Sequence, residues 1–195
     1  VSGPYLINGV RIGSPICEDA WHSDVVETLE ETGAEFLFIP NGSPYYRGKL
    51  DVRLNLMVSR VVESGLPLIY LNLTGGQDDQ IFDGCSFALN PGGELAAMLP
   101  MFEESITELT LNRTDQGWRI AESVKSKVPD QLEADYHAMT IALRDYCAKS
   151  GFSKVLLGLS GGVDSALVAT IAADALGAEN VRCIMLPSEY TSDES

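Results

Sequence analysis

The stretch Leu157–Ser165, Leu-Gly-Leu-Ser-Gly-Gly-Val-Asp-Ser, constrains the fold more than any other part of the chain. An apolar run, Val155–Leu159, reads as a buried parallel strand. The turn Ser160-Gly161-Gly162 follows, and Ala166–Leu176 reads as a helix closed by Gly177. A strand that passes through a glycine turn into a helix N-terminus leaves free N–H groups and the positive end of a helix dipole facing the turn. That is an anion site. Glycine lets backbone approach phosphate oxygens closely, and Ser160 and Ser165 add hydroxyl donors.

The loop is not of the G-x-x-x-x-G-K-[ST] kind, because no lysine sits in it. Its Ser-Gly-Gly-Val-Asp-Ser string resembles the pyrophosphate loop of the N-type ATP pyrophosphatases, which cleave ATP between the α and β phosphates. That resemblance implies ATP contacts at Gly158, Leu159, Ser160, Gly161, Gly162, Val163, Asp164 and Ser165, with Asp164 as a magnesium ligand. The bland alternative is an ordinary strand-to-helix turn that uses glycine for geometry alone.

The totals narrow the partners. The chain has 195 residues, enough for one or two domains with real cores. A formal charge of −15 argues against a nucleic-acid partner, which asks for a basic face. Cys17, Cys85, Cys147 and Cys183 are far apart, form no C-x-x-C pair, and have no zinc-like spacing with His22 or His137. Reduced thiols in a cytoplasmic protein are expected. No signal peptide, membrane run or low-complexity segment is evident. A first residue that is Val1, and a polar end at Thr191–Ser195 just after an apolar strand, read as a segment of a longer chain.

Taken in order, Val10–Ile16 reads as a strand running into Cys17. Ser23 and Asp24 look like a cap for a helix over Val25–Thr32, with Gly33 as its stop. Phe36–Ile39 is a short buried strand, and Asn41-Gly42-Ser43-Pro44 a loop. Leu50, Leu54, Met57 and Val61 recur at helical spacing, which predicts a helix Leu50–Ser64 ended by Gly65. Leu68–Leu73 is a buried strand and Gly75–Asp79 a loop. Ile81–Asn90 and Glu94–Met98 are strands joined at Pro91-Gly92-Gly93. The alternation Thr107, Leu109, Leu111 suggests another strand, and the polar Asn112–Asp130 a domain connection. Leu132, Tyr136, Met139, Leu143 and Tyr146 mark one face of a helix ending near Gly151. Val155–Leu159, the following helix and Val181–Leu186 form a βαβ unit, the opening of a doubly wound sheet.

Cys17 ends a strand and precedes a possible helical turn, a place that can expose a sulfur and lower its pKa. The Glu18 N–H would lie ready for an oxyanion. By itself this is weak, since a lone Cys is more often a small buried hydrophobe.

The surroundings add a resemblance. Gly9 to Trp21, Gly-Val-Arg-Ile-Gly-Ser-Pro-Ile-Cys-Glu-Asp-Ala-Trp, is similar to the nucleophile segment of the nitrilase superfamily, and closest to the glutaminase domain of the glutamine-dependent NAD synthetase family. So are Asn41-Gly42-Ser43-Pro44 with Lys49 and Arg53, and Gly75-Gly76-Gln77-Asp78 with Phe82-Asp83-Gly84. Pro187 to Ser192 resembles the synthetase domain. The resemblance implies an α/β fold. The C-terminal part of a nitrilase-like α-β-β-α sandwich (residues 1–126) is followed by the start of a doubly wound, adenine nucleotide alpha hydrolase-like domain (residues 127–195). It implies Cys17 as the nucleophile of a Glu-Lys-Cys triad whose Glu and Lys match positions earlier than this sequence begins. Ser43 and Lys49 match positions that hold glutamine, and Arg53 is a weaker candidate. Asp78 and Asp83 read as loop-ordering groups, and Cys85 as packing behind the site.

What the pairing implies is a glutamine-hydrolysing NAD synthase. Glutamine, ATP with magnesium, and deamido-NAD are its small-molecule substrates, with neither nucleic acid nor membrane, and with a homo-oligomeric full-length enzyme. Two alternatives stay open. One is a nitrilase-type amidase with a separate nucleotide-binding module. The other is a non-catalytic nucleotide-binding protein, against which a pyrophosphate cradle speaks.

Overall fold

The structure is a computed structural model that describes residues 3–185; Leu186 and the Pro187–Ser192 resemblance lie outside the described residues. It divides into two compact units, residues 1–74 with 82–129, and residues 75–81 with 130–195.

The first unit opens on a hairpin, β1 (Tyr5–Ile7) and β2 (Val10–Gly13). Asn8 and Gly9 turn it with φ of 49° and 83°, the two left-handed residues that a tight hairpin asks for. The predicted strand Val10–Ile16 is therefore shorter, and the Asn-Gly signal before it was the informative one. A 3₁₀ turn at Cys17–Trp21 leads into α1 (Ser23–Glu31). The expected Ser23–Asp24 cap is absent: His22 holds the cap position and no side chain closes it. Then come β3 (Phe36–Asn41), α2 (Lys49–Ser64, ended by Gly65) and β4 (Leu68–Asn72).

The next strands, β5 (Thr74–Gln77) and β6 (Gln80–Asp83), form a two-stranded ribbon where a loop was expected over Gly75–Asp79. After it, β7 (Phe87–Asn90) and β8 (Glu94–Met98) complete a six-stranded sheet in the order β1-β2-β3-β4-β7-β8. The single strand expected over Ile81–Asn90 is broken, because Gly84 and Cys85 take φ of 63° and 50°. Strands β2, β3 and β4 run parallel, so their carboxyl ends emerge side by side. The alternation at 107–111 does not form its strand. Instead β9 (Leu111–Thr114) and β10 (Gly117–Ile120) make a hairpin inside the stretch read as a connection.

The core of this unit lies between the sheet and the helices. Leu37, Ile39, Leu68 and Tyr70 of the sheet pack with Val26 and Leu29 of α1 and Met57 and Val61 of α2. Removing each such side chain from water stabilises the fold by about 1.5–3 kcal/mol. On the other sheet face a cavity of about 450 Å³ is lined by Ile69, Leu71, Ala97, Leu99 and Leu109.

In the second unit α3 (Gln131–Ser150) starts at Asp130, whose carboxylate accepts from the Leu132 and Glu133 N–H groups. Its buried face is not the predicted one. Ala134, Ala138, Ile141 and Cys147 are buried, whereas Leu132 and Tyr146 are exposed. Small alanines permit close helix approach, and a count of large apolar residues passes over them. Strand β11 (Val155–Leu159), α4 (Val163–Leu176) and β12 (Val181–Met185) follow, with β11 and β12 parallel. Strand β11 is half-exposed rather than buried, with Leu156 at 67%. Tyr136 donates to Asp174 across α3 and α4. The ribbon tip belongs to this unit as well. The Gly76 N–H donates to Asp145 at 2.7 Å, and Lys149 donates to the Gly76 carbonyl. Gly75 holds φ at 115°, where any side chain is strained, and a Cβ on it would lie 2.9 Å from an Asp145 oxygen. Burial works against the Asp145 charge, yet the Gly76 N–H and Arg144 hold its carboxyl below the usual value.

Candidate functional site

Three candidate residues follow the carboxyl ends of adjacent parallel strands. Cys17 comes after β2, Ser43 after β3 and Asn72 at the end of β4. Cys17 holds φ at 53°, a left-handed value that is uncommon outside glycine. The turn around it is tied by Asp19, whose carboxylate accepts the Ile16 N–H at 3.2 Å and whose own N–H donates to the Ile16 carbonyl. Glu18 lies in the first turn of this short helix, where N–H groups have no intrahelical acceptor.

Lys49 is the first residue of α2 and is buried rather than solvated. Its ammonium lies over the rings of Trp21 and Tyr46, at 4.7 and 4.8 Å from their centroids. One turn later Arg53 is 2% exposed. Its Nη1 donates to both Asp83 oxygens at 2.8 Å, Nε donates to Ser43 Oγ at 3.0 Å, and Nη2 donates to the Ser43 and Pro44 carbonyls at 2.6 and 3.1 Å. Asn72 completes the frame. Its Oδ1 accepts the Ser43 N–H at 2.9 Å, and its Nδ2 donates to the carbonyls of Ser43 and Gly84.

Desolvation raises the Asp83 carboxyl above its usual value, and the Arg53 guanidinium opposes that rise. Burial likewise raises the Tyr70 phenol, and the Arg53 guanidinium and a hydrogen bond with Ser43 oppose that rise. Tyr70 stacks on Phe87 at 4.7 Å. Cys85 packs against Met98 in the core, and burial with the Asp83 charge pushes its thiol up to about 12.

The resemblance points to Cys17, Ser43 and Lys49, with Arg53 as a weaker candidate and Asp83 as a loop-ordering group, and passes over Tyr70 and Asn72. The readable sign for Asn72 was an amide closing the apolar run Leu68–Leu71, a buried polar group in need of partners.

The second candidate site is the Gly158–Ser165 loop of the other unit. Gly161 turns with φ at 82°, and α4 begins at Val163, three residues sooner than the expected Ala166. Asp164 therefore lies in the first turn and does not cap the helix; Gly162 holds the cap position. The two serines knit the loop: Ser160 and Ser165 hydroxyls lie 3.1 Å apart, and Ser165 donates to the Gly162 carbonyl at 2.9 Å. Among the described residues no group of three or more His, Cys, Asp or Glu side chains could hold a metal ion. No described helix is long and apolar enough to cross a membrane.

Comparison with known proteins finds a family match in each part of the chain. The carbon-nitrogen hydrolase family matches residues 2–119, and the NAD synthase family matches residues 135–195. A glutamine-dependent NAD(+) synthetase of Rhodobacter capsulatus is 57% identical over 195 residues, 100% of this chain and 35% of that protein. One of Aquifex aeolicus is 37% identical over 219 residues, covering 97% of this chain and 39% of that protein. The structure of glutamine-dependent NAD+ synthetase from Acinetobacter baumannii in complex with adenosine diphosphate is similar with a TM-score of 0.89, at 38% identity, over 98% of this chain and 36% of that one. The chain thus spans little more than a third of the length of these relatives. It belongs to the carbon-nitrogen hydrolase family, and its C-terminal part carries the NAD synthase likeness.

Proposed function

We propose that this chain serves a glutamine-dependent NAD+ synthetase, with residues 1–126 in the glutaminase domain and residues 127–195 in the synthetase domain. The observation that carries the reading is the pairing in one chain of Cys17, beside a buried Ser43–Lys49–Arg53 frame, with the Ser160–Ser165 loop.

The Cys17 thiolate attacks the carboxamide carbon of glutamine. The C–N bond breaks, the amine takes a proton and leaves as ammonia, and a thioester remains for water to hydrolyse to glutamate and free thiol. The Glu18 N–H faces the developing oxyanion. Lys49 holds the substrate's α-carboxylate, the natural partner for a desolvated ammonium, and Ser43 donates a hydrogen bond to the substrate. The general base and the lysine of the triad come from outside residues 1–195.

In the other half Gly158–Ser165 cradle the phosphates of ATP, and pyrophosphate departs as the deamido-NAD carboxylate is adenylylated. Ammonia then displaces AMP. Magnesium fits one carboxylate, Asp164, only if phosphate oxygens supply its other ligands, so it arrives with the nucleotide. When bound, it neutralises phosphate charge. The free cysteines and acidic charge support a cytoplasmic enzyme without a nucleic-acid partner; the resemblance implies a homo-oligomeric full-length protein with no membrane partner.

The test is Cys17→Ala in the full-length protein. NAD formation from glutamine is abolished and NAD formation from ammonia persists. Retained glutamine-driven synthesis removes Cys17 from the reaction. An amidase with a separate nucleotide module would instead hydrolyse amides with no dependence on ATP or deamido-NAD and form no NAD.

A further inference from the structure

Arg53 resembled a substrate ligand in the sequence, but its surroundings leave it no means to be one. A guanidinium carries five N–H donors. All three of its nitrogens are engaged here: Nη1 on Asp83, Nε on Ser43 Oγ, and Nη2 on the carbonyls of Ser43 and Pro44. Asp83 is 0% exposed and is the anion that makes this burial tolerable.

The target of this machinery is one residue. The Ser43 carbonyl accepts from Arg53 Nη2 and Asn72 Nδ2, its N–H donates to Asn72 Oδ1, and its hydroxyl accepts from Arg53 Nε and shares a second hydrogen bond with the Tyr70 phenol. A charged donor directed at Oγ fills an acceptor position and turns the hydroxyl proton away from Arg53. It also makes that proton a stronger donor. We infer that Arg53, fixed by Asp83, is a positioning residue. It sets the Ser43 hydroxyl as a hydrogen-bond donor and so selects a substrate with an oxygen acceptor at that point. This rests on the reading of Ser43 as a glutamine contact.

A double-mutant cycle in the full-length protein tests it. Arg53→Lys keeps a cation for Asp83 and removes the bond to Ser43 Oγ. Its glutamine KM rises by about tenfold or more, the scale of one hydrogen bond to a charged group, while kcat changes less. In the Ser43→Ala background the same change adds less than about twofold, because its route to the substrate is gone. Asp83→Asn, nearly isosteric, carries the same cycle if Arg53→Lys yields no soluble protein, with the same dependence on Ser43. A full Arg53→Lys effect on KM that persists unchanged in Ser43→Ala overturns the proposal alone, since Arg53 then acts through general packing. An unchanged glutamine KM in Ser43→Ala itself overturns the reading of Ser43 and this proposal with it.

Discussion

The Lys49 ammonium lies 4.7 Å from the centroid of the Trp21 ring, which places a charged group against apolar faces at a site that is only 7% exposed. Cation–π attraction of about 0.5–2 kcal/mol offsets part of the desolvation. It does so without neutralising the charge, and the cation keeps its appetite for an anion. Lys49→Met removes the charge and keeps most of the bulk. The expected outcome is a glutamine KM raised by about tenfold or more, with ATP and deamido-NAD kinetics little changed. Steady-state kinetics on the full-length protein check this, and an unchanged glutamine KM returns Lys49 to a packing role.

A second expectation concerns Asp164. Gly162 occupies the cap position of α4, so an asparagine at 164 cannot act by altering a cap. A helix end supplies about half an elementary charge, too little to balance a triphosphate. Asp164→Asn should leave circular dichroism unchanged and reduce pyrophosphate release by about a hundredfold with either nitrogen donor. Added magnesium should recover part of the loss. Normal release at ordinary magnesium levels removes the metal-ligand assignment.

The third expectation is a pH dependence. The Cys85 thiol is pushed from its ordinary 9.0 up to about 12, first by burial and then by the Asp83 charge. Below pH 9 the thiol is protonated in both folded and unfolded chains. Above it the unfolded thiol ionises while the folded one keeps its proton, so rising pH favours unfolding until the folded thiol also ionises near 12. One such group gives a slope of about 1.4 kcal/mol per pH unit in that window. Urea titrations at pH 8, 9 and 10 check it (about one unit on each side of the ordinary value), and Cys85→Ala should flatten the slope. At neutral pH an alkylating reagent should spare the buried Cys85.

Local signals in the sequence were reliable where a single stretch decided the outcome. Gly65 stops α2, and the Ser160–Ser165 turn joins β11 to α4 as its composition demands. The signals failed where distant residues decided it. Asp83 is 30 positions from Arg53, and Asn72 is 29 from Ser43, so no local pattern could show that these four polar groups share one buried frame. The buried face of α3 was misread for a related reason. Which stripe a helix buries depends on its neighbour, and there Ala134 and Ala138 are covered while Leu132 is not. The ribbon at β5 and β6 was hidden because Gly75 and Gly76 read as loop residues, whereas their lack of side chains serves an approach to Asp145.

That approach sets a timetable for synthesis. The hydrogen bond joins Gly76 to a residue 69 positions later. A ribosome adding about 5–20 residues per second needs several seconds to cover that interval. Throughout it the carboxylate that anchors the ribbon tip has not been made. The nascent chain can close the six-stranded sheet of the first unit, but the tip must stay wet and unanchored until α3 follows it out of the exit tunnel.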